Sequence, residues 1–393
     1  MDRTETHRCK VVIIGGGVAG LTLATFLDGA GVSCIVFERA TRHHVEVRAR
    51  AGVVEARGVA MFERRGLADK LLGGPVAASI DYRVNGVGRV FEIASSEGSA
   101  SRFCTQQMLV NNLLRELIDV RGGDVRFAVE DVAIRNEEDA APRVSFSDAT
   151  GRHHVECDYI VGCDGARGIS RSSIPPGILT KYSHEFGYAW LAALVEAPVT
   201  GHPIMGASDY GFVAQLPRGP GRSRYYLQCP VSDTPEDWPN ARIWREIRQR
   251  LNDPSIADAV VHDRTITVLR SVVYTPMQYL RLFLAGDVAH LVPPTGAKGM
   301  NMALYDVDVL ADALIAAASG GDPSALDGYS KAIESRLWKY QEFSAWMTDT
   351  MHDAGDPTLR GPIRQMTARA RLDELFSSPV AHQLHSDYLH GLD

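Results

Sequence analysis

Residues Cys9 to Ile14 (CKVVII) make an almost unbroken apolar run closed by glycines, the pattern of a parallel strand buried on both faces. GGGVAG follows, then the amphipathic LTLATFLDGAG, a helix stopped at Gly29 and Gly31, then a second apolar run, SCIVFER. A β-α-β unit therefore opens the chain. The pattern changes between about 185 and 275. AWLAALVEA, YGFVAQL and SRYYLQC are short β-rich segments separated by turn-formers such as PRGPG, and they predict an antiparallel sheet. ARIWREIRQRL reads as a helix interrupting it. RLFLAGD returns to a buried strand, followed by a glycine-rich loop and a long helix, GMNMALYDVDVLADAL. Beyond about 350 the chain is polar with a helical pattern.

The predicted fold is α/β (α+β overall). A discontinuous Rossmann-like domain draws on residues 1–78, 100–180 and 276–348. A substrate domain built on the antiparallel sheet takes 79–99 and 181–275, and 349–393 form a helical tail. Composition narrows the class. With 45% hydrophobic and 23% charged residues among 393, large-scale disorder is excluded. The net charge of -7 speaks against a nucleic-acid partner. Six scattered cysteines without a C-x-x-C pair suit reduced thiols, and the thirteen histidines show no metal-ligand spacing. No signal-peptide core or membrane-length apolar run is present, so the expectation is a cytoplasmic protein.

Three motifs carry chemistry. Gly15, Gly17 and Gly20 form G-x-G-x-x-G between a strand and a helix starting near Ala19. Such glycines permit a tight turn, close approach of backbone to a pyrophosphate, and close helix–strand packing. Glu38 closes the second strand, where a carboxylate accepts ribose hydroxyls. Asp164-Gly165 and Asp287 each close a later strand, and alone either is also an ordinary turn junction.

Taken in this order, these motifs resemble the class A flavoprotein aromatic hydroxylases. VRARAGVVEARGV, YIVGCDGARGISR, RSRYYLQ, AGDVAHLVPPTGAKGMNMA and LWKYQEFSAWMT are similar to the para-hydroxybenzoate hydroxylase group, and the resemblance spans about residues 10–350. It implies FAD held by Gly15, Gly17, Ala19, Gly20, Glu38, Arg39, Arg48, Arg50, Ala51, Gly52, Gln106, Asp164 and Asp287. The loop Pro293–Asn301, with Gly299, Met300 and Asn301, would line the flavin. The chain has one dinucleotide fingerprint, so the resemblance implies that NADPH or NADH visits transiently, near Arg39, His44, Arg48 and Arg270.

By the same resemblance, flavin as a C4a-hydroperoxide hydroxylates an aromatic carboxylic acid held by Arg218 and Tyr226, with molecular oxygen as co-substrate. Arg218 sits in turn-rich PRGPG and also reads as a solvent-facing turn residue. Three positions depart from the group. Leu216 replaces a serine, Met205 or Gly206 a tyrosine, and Ala77 or Ala78 a histidine of the proton relay. Tyr210 lies nearby as a substitute, with the Pro294 carbonyl and Tyr388 as further pocket positions. The substrate expected is 4-hydroxybenzoate or an amino- or differently hydroxylated analogue. A flavin oxidase or reductase without oxygen insertion is the alternative. A halogenase is disfavoured, because none of the five tryptophans form the pair that marks that group. The resemblance also implies a homodimer.

Overall fold

The computed structural model describes residues 6–48, 52–94, 98–138, 140–199, 201–219, 221–352 and 361–391. Its strands, in chain order, are β1 Thr6–Ile14, β2 Cys34–Glu38, β3 Ser79–Val84, β4 Val87–Glu92, β5 Asp124–Phe127, β6 Glu130–Arg135, β7 Arg143–Asp148, β8 Gly151–Gly162, β9 Thr180–Val195, β10 Ile204–Ala207, β11 Val213–Pro217, β12 Ser223–Pro230, β13 Val261–Thr275, β14 Gln278–Tyr279, β15 Leu282–Leu284 and β16 His290–Leu291.

They form two sheets. The first has the order β14-β15-β8-β1-β2-β5, with β7 also paired to β8 and β6 to β7. β1 pairs parallel with β2 on one side and with β8 on the other. The chain leaves β1 in one direction and returns on its far side, which opens a crevice at the carboxyl ends of β1 and β8. Val11, Val12, Ile13 and Ile14 are consecutive and all buried, so both faces of β1 are covered. The apolar run at the start of the sequence arises from this. Helix Val18–Gly29 follows β1 and packs against helix Lys298–Ala318.

The second sheet runs β16-β13-β9-β12-β11-β10-β3-β4. It is antiparallel except where β10 meets β3, which pair parallel. The purely antiparallel expectation is corrected there. The β3–β4 hairpin arrives from a distant part of the chain, so no tight turn forces it antiparallel to β10. One face of this sheet is covered by helix Asn240–Leu251, whose Ile243, Trp244, Ile247 and Leu251 fall at helical spacing and pack with Val213, Tyr225 and Leu227. The opposite face carries Tyr82, Met205, Ala214, Tyr226 and Trp190.

Residues beyond 350 are more than a tail. Helices Gly361–Ser377 and Pro379–His390 fold back onto that second face, where Leu372 and Leu375 are buried. The last helix starts with Ser378 accepting from the Ala381 amide and Pro379 in the first turn, and ends at Gly391 with φ +75°. Among the described residues, no helix is long and apolar enough to cross a membrane.

Candidate active site

Two connected cavities lie between the sheets and the carboxyl ends of β1 and β8. The larger, about 720 Å³, is lined by Gly15 to Ala19, Glu38 to Ala40, His44, Arg48, Asp164 and Asp287. The three motif glycines do different things there. A Cβ on Gly15, at φ +110°, would stand 2.4 Å from the Cys163 carbonyl oxygen, so the turn is pressed against the end of β8. On Gly20 it would stand 2.0 Å from the Gly15 oxygen, because the helix packs directly on that turn. On Gly17 it would meet nothing within 4 Å and would project into open space at the helix start. Gly17 caps this helix without a side chain, leaving its first amides available to an anion.

Glu38 is fixed for its task by two backbone amides. Gly16 N donates to Oε2 and Ala40 N to Oε1, each at 2.8 Å, which leaves further acceptor capacity toward the cavity. Asp164 braces its own turn, accepting from Ser170 N at 2.9 Å and Ser170 Oγ at 3.0 Å; burial raises its carboxyl above the ordinary range. Exposed Arg39, His44 and Arg48 line the outer part of the cavity, as does Arg167, which sequence reasoning did not single out. Arg50 and Ala51 lie outside the described residues.

The smaller cavity, about 270 Å³, shares Gln106, Gly299 and Met300 with the larger one. Gly52 sits at this junction, where a Cβ would stand 2.9 Å from Cys104 O, Gln106 N and Met300 Cε. One wall is the loop holding Pro294 to Ala297, which enters helix Lys298–Ala318 through Ala297 at φ +55°. Asn301 staples this wall down. Its Oδ1 accepts from Glu55 N at 3.0 Å, and its Nδ2 donates to Val53 O and Ala297 O at 2.8 and 3.0 Å.

The facing wall is the second sheet. Met205, Ala214 and Tyr226 sit side by side across β10, β11 and β12, joined by Leu216, Trp190 and Phe212. Into this apolar lining reaches Arg218. Its Nη2 donates to the Tyr226 hydroxyl at 2.9 Å and its Nη1 to Pro217 O at 2.6 Å, while Nε is buried and unpartnered. Burial disfavours the charge and lowers its pKa. Among the described residues its hydrogen bonds go to a carbonyl and a phenol, and no carboxylate pairs with it. A guanidinium in that state favours an anion beside it.

Several expected positions fall elsewhere. Tyr210 is 57% exposed, in the turn between β10 and β11, and lines neither cavity. It cannot substitute for the lost tyrosine. The missing Cβ of Gly206 would face Val213 and Leu251, because strand alternation turns it to the opposite side of the sheet; Met205 takes the cavity wall. Of the two alanines, Ala77 lines the cavity. Tyr388 stacks on Phe343 at 4.8 Å, and its neighbour Leu389 reaches the cavity instead. Arg270 is exposed on β13 opposite Glu185, on the other sheet from the β1 crevice, and lines neither cavity.

The sequence reading also missed a buried charge cluster. Lys298 Nζ bonds Glu55 Oε1 and the Tyr388 carbonyl, and Glu55 lines the smaller cavity. Burial pushes Glu55 up and Lys298 down. The lysine within PPTGAKG was the available signal. The C-terminal contacts had none, since their partners lie far apart in sequence.

The glycine cradle, with open space at Gly17 and a fixed carboxylate at Glu38, fits a dinucleotide. Comparison with known proteins agrees. The family model described as "FAD binding domain" matches residues 8–344. The p-hydroxybenzoate hydroxylase of Acinetobacter baylyi is 35% identical over 355 residues, 88% of this chain and 87% of that protein. The rifampicin monooxygenase of Streptomyces venezuelae is 26% identical over 80% of this chain and 66% of its own length. Among solved structures, p-nitrophenol 4-monooxygenase from Pseudomonas putida DLL-E4 superposes with a TM-score of 0.84 at 21% identity, covering 98% of this chain and 99% of that one. The fold, the cradle and these relatives together place the chain in the FAD-dependent aromatic monooxygenase family.

Proposed function

We propose that this monooxygenase hydroxylates a small aromatic carboxylic acid, with 4-hydroxybenzoate or an amino- or differently hydroxylated benzoate as substrate. The observation that carries this reading is Arg218. A guanidinium with an orphaned, buried Nε, oriented by Tyr226 in a cavity of about 270 Å³, suits a carboxylate on one aromatic ring. The resemblance to p-hydroxybenzoate hydroxylase supports the same class. Apolar Leu216, Met205, Ala77 and Trp190 would enclose the ring and exclude water. Gly15 to Ala19, Glu38 and Asp287 would hold FAD, with Gln106, Gly299 and Met300 at its ring end, where the two cavities join. Bound FAD would take up reducing equivalents and activate molecular oxygen for transfer to the ring. The amides at the start of helix Lys298–Ala318 favour negative charge held beside them. NADPH or NADH would deliver the reducing equivalents, with Arg39, His44 and Arg48 on its approach.

The test is nicotinamide oxidation by the yellow holoenzyme against substituted benzoates, with products identified by mass. The expected result is stimulated oxidation and a gain of one oxygen with a hydroxylated or aminated benzoate. Arg218→Ala should raise its Kd roughly 30-fold, equivalent to about 2 kcal/mol for a lost charge-assisted bond. Equal affinity in wild type and variant would remove the carboxylate from the reading. Stimulated oxidation that yields only peroxide and unchanged acid would favour an oxidase.

A further inference from the structure

A phenol is a strong nucleophile toward an electrophilic oxygen only once it has lost its proton. Neither Met205 nor Ala77 can take one. The wall beside Ala77 does hold groups that can. Ala77 N donates to the Ser101 carbonyl at 2.8 Å, and Ser101 itself lines the smaller cavity and is 2% exposed. Its Oγ accepts from Ala56 N at 3.0 Å and lies 3.0 Å from His390 Nδ1. His390 is 5% exposed, and its Nε2 is 2.9 Å from the Ala94 carbonyl. A carbonyl only accepts, so Nε2 carries a proton, and in the neutral ring Nδ1 is the acceptor. The Ser101 hydroxyl therefore donates to His390, while a second lone pair on its oxygen remains.

We propose that Ser101 and His390 form the proton-accepting pair of the substrate cavity. This rests on the reading above, that the substrate is an aromatic acid with an ionisable ring hydroxyl. The ring O–H bond breaks as its proton passes to Ser101 Oγ, and Ser101 gives its own proton to His390 Nδ1. The products are a phenolate and an imidazolium, with the Ser101 hydroxyl restored. After the ring has gained oxygen and its C–H proton has passed to solvent, the imidazolium returns a proton to the product phenolate by the same route. Ser101 would touch the substrate. His390 acts through it.

The pair is not needed merely to anchor the C-terminal helix. That helix is already held on both sides of His390. Lys298 bonds the Tyr388 carbonyl, Arg57 and Arg336 donate to Gly391 O at 2.9 and 2.6 Å, and Ala94 N donates to Ser386 Oγ at 3.0 Å. The charged and titratable groups facing this end of the helix are thus Lys298, Glu55, Arg57 and Arg336, with His382, His385, Asp387 and Tyr388 on the helix itself and Tyr82 against His385. Lys298, Arg57 and Arg336 favour an anionic ring in the cavity; they oppose a charge on His390, which the new phenolate across Ser101 offsets.

The FAD-loaded enzyme would be titrated with 4-hydroxybenzoate between pH 6 and 9, reading the ultraviolet difference spectrum that separates bound phenol from bound phenolate. Wild type is expected to ionise the bound phenol at a lower pH than the free acid does. Ser101→Ala and His390→Gln should each shift that equilibrium about tenfold toward the phenol and slow hydroxylation at neutral pH by a similar factor. Affinity should stay within about threefold, and Ser101→Thr should keep the wild-type profile. Should Ser101→Ala fail to retain FAD, His390→Gln decides alone. An unchanged phenolate fraction in a folded, substrate-binding His390→Gln enzyme overturns the inference and leaves the aromatic-acid reading standing. If hydroxylated and aminated benzoates alike fail to bind wild type, the aromatic-acid reading falls and the inference with it; if only aminated ones bind, the inference alone falls.

Discussion

At the scale of single residues, the three motif glycines separate folding from binding. Gly15 and Gly20 are glycines because backbone presses on them; Gly17 has room for a side chain on the protein side and faces the cavity. Gly20→Ala should therefore fail to give stable protein, since its Cβ would sit 2.0 Å from the Gly15 oxygen. Gly17→Ala should fold with a near-normal melting temperature yet copurify with little FAD. The ratio of flavin to protein absorbance and a thermal melt test both. A yellow Gly17→Ala protein with wild-type FAD affinity would contradict the cradle. This distinction was only partly legible in the sequence. The spacing of the three glycines marked the dinucleotide motif, but that Gly15 meets backbone depends on the approach of β8, which pairs with β1 at an offset of 148 residues.

At the scale of elements, β16 and helix Lys298–Ala318 are joined by His290 and Asp306, both 1% exposed at the side chain and 2.7 Å apart. Gly286 N also donates to Asp306 Oδ2, tying the turn after β15 to the same helix. Burial opposes the charge on His290, but the attraction and hydrogen bond of Asp306, aided by Asp287, raise its pKa above the ordinary 6.5. A pKa raised in the folded state contributes stability that is fully present below the unfolded value and is lost as pH rises through the folded one. The loss of unfolding free energy in His290→Gln should thus be largest near pH 6 and shrink toward alkaline pH. Urea titrations of both proteins across that range would show it, and a pH-independent difference would refute it. The long elements around this joint were legible from periodicity, as in GMNMALYDVDVLADAL, observed within Lys298–Ala318. The helical character of the C-terminus was also legible, and helices Gly361–Ser377 and Pro379–His390 bear it out, but their placement was not. Their role comes from contacts with Glu55, Ser101 and Lys298, and the residues making them (Tyr388, His390, Gly391) follow no hydrophobic period.

At the scale of the molecule, the two cavities meet at Gln106, Gly299 and Met300, with the first sheet framing one and the second sheet the other. A group bound in the larger cavity and reaching this junction becomes part of the wall of the smaller one. By linkage each ligand changes the other's affinity by the same factor, and the added contact makes that change a strengthening. The FAD-loaded protein should therefore bind a benzoate at least tenfold more tightly than protein stripped of FAD, a coupling of about 1.4 kcal/mol or more. Benzoate should slow the release of FAD in return. Calorimetric titration of loaded and stripped protein measures the first, and flavin fluorescence on dilution the second. Met300 is the place to perturb the coupling, because it borders both cavities and is pressed against Gly52. Met300→Ala should reduce the coupling while leaving Arg218, Tyr226 and the glycine cradle in place. If stripped and loaded protein bind benzoate equally, the cavities are independent, and the acid is held by the second sheet alone.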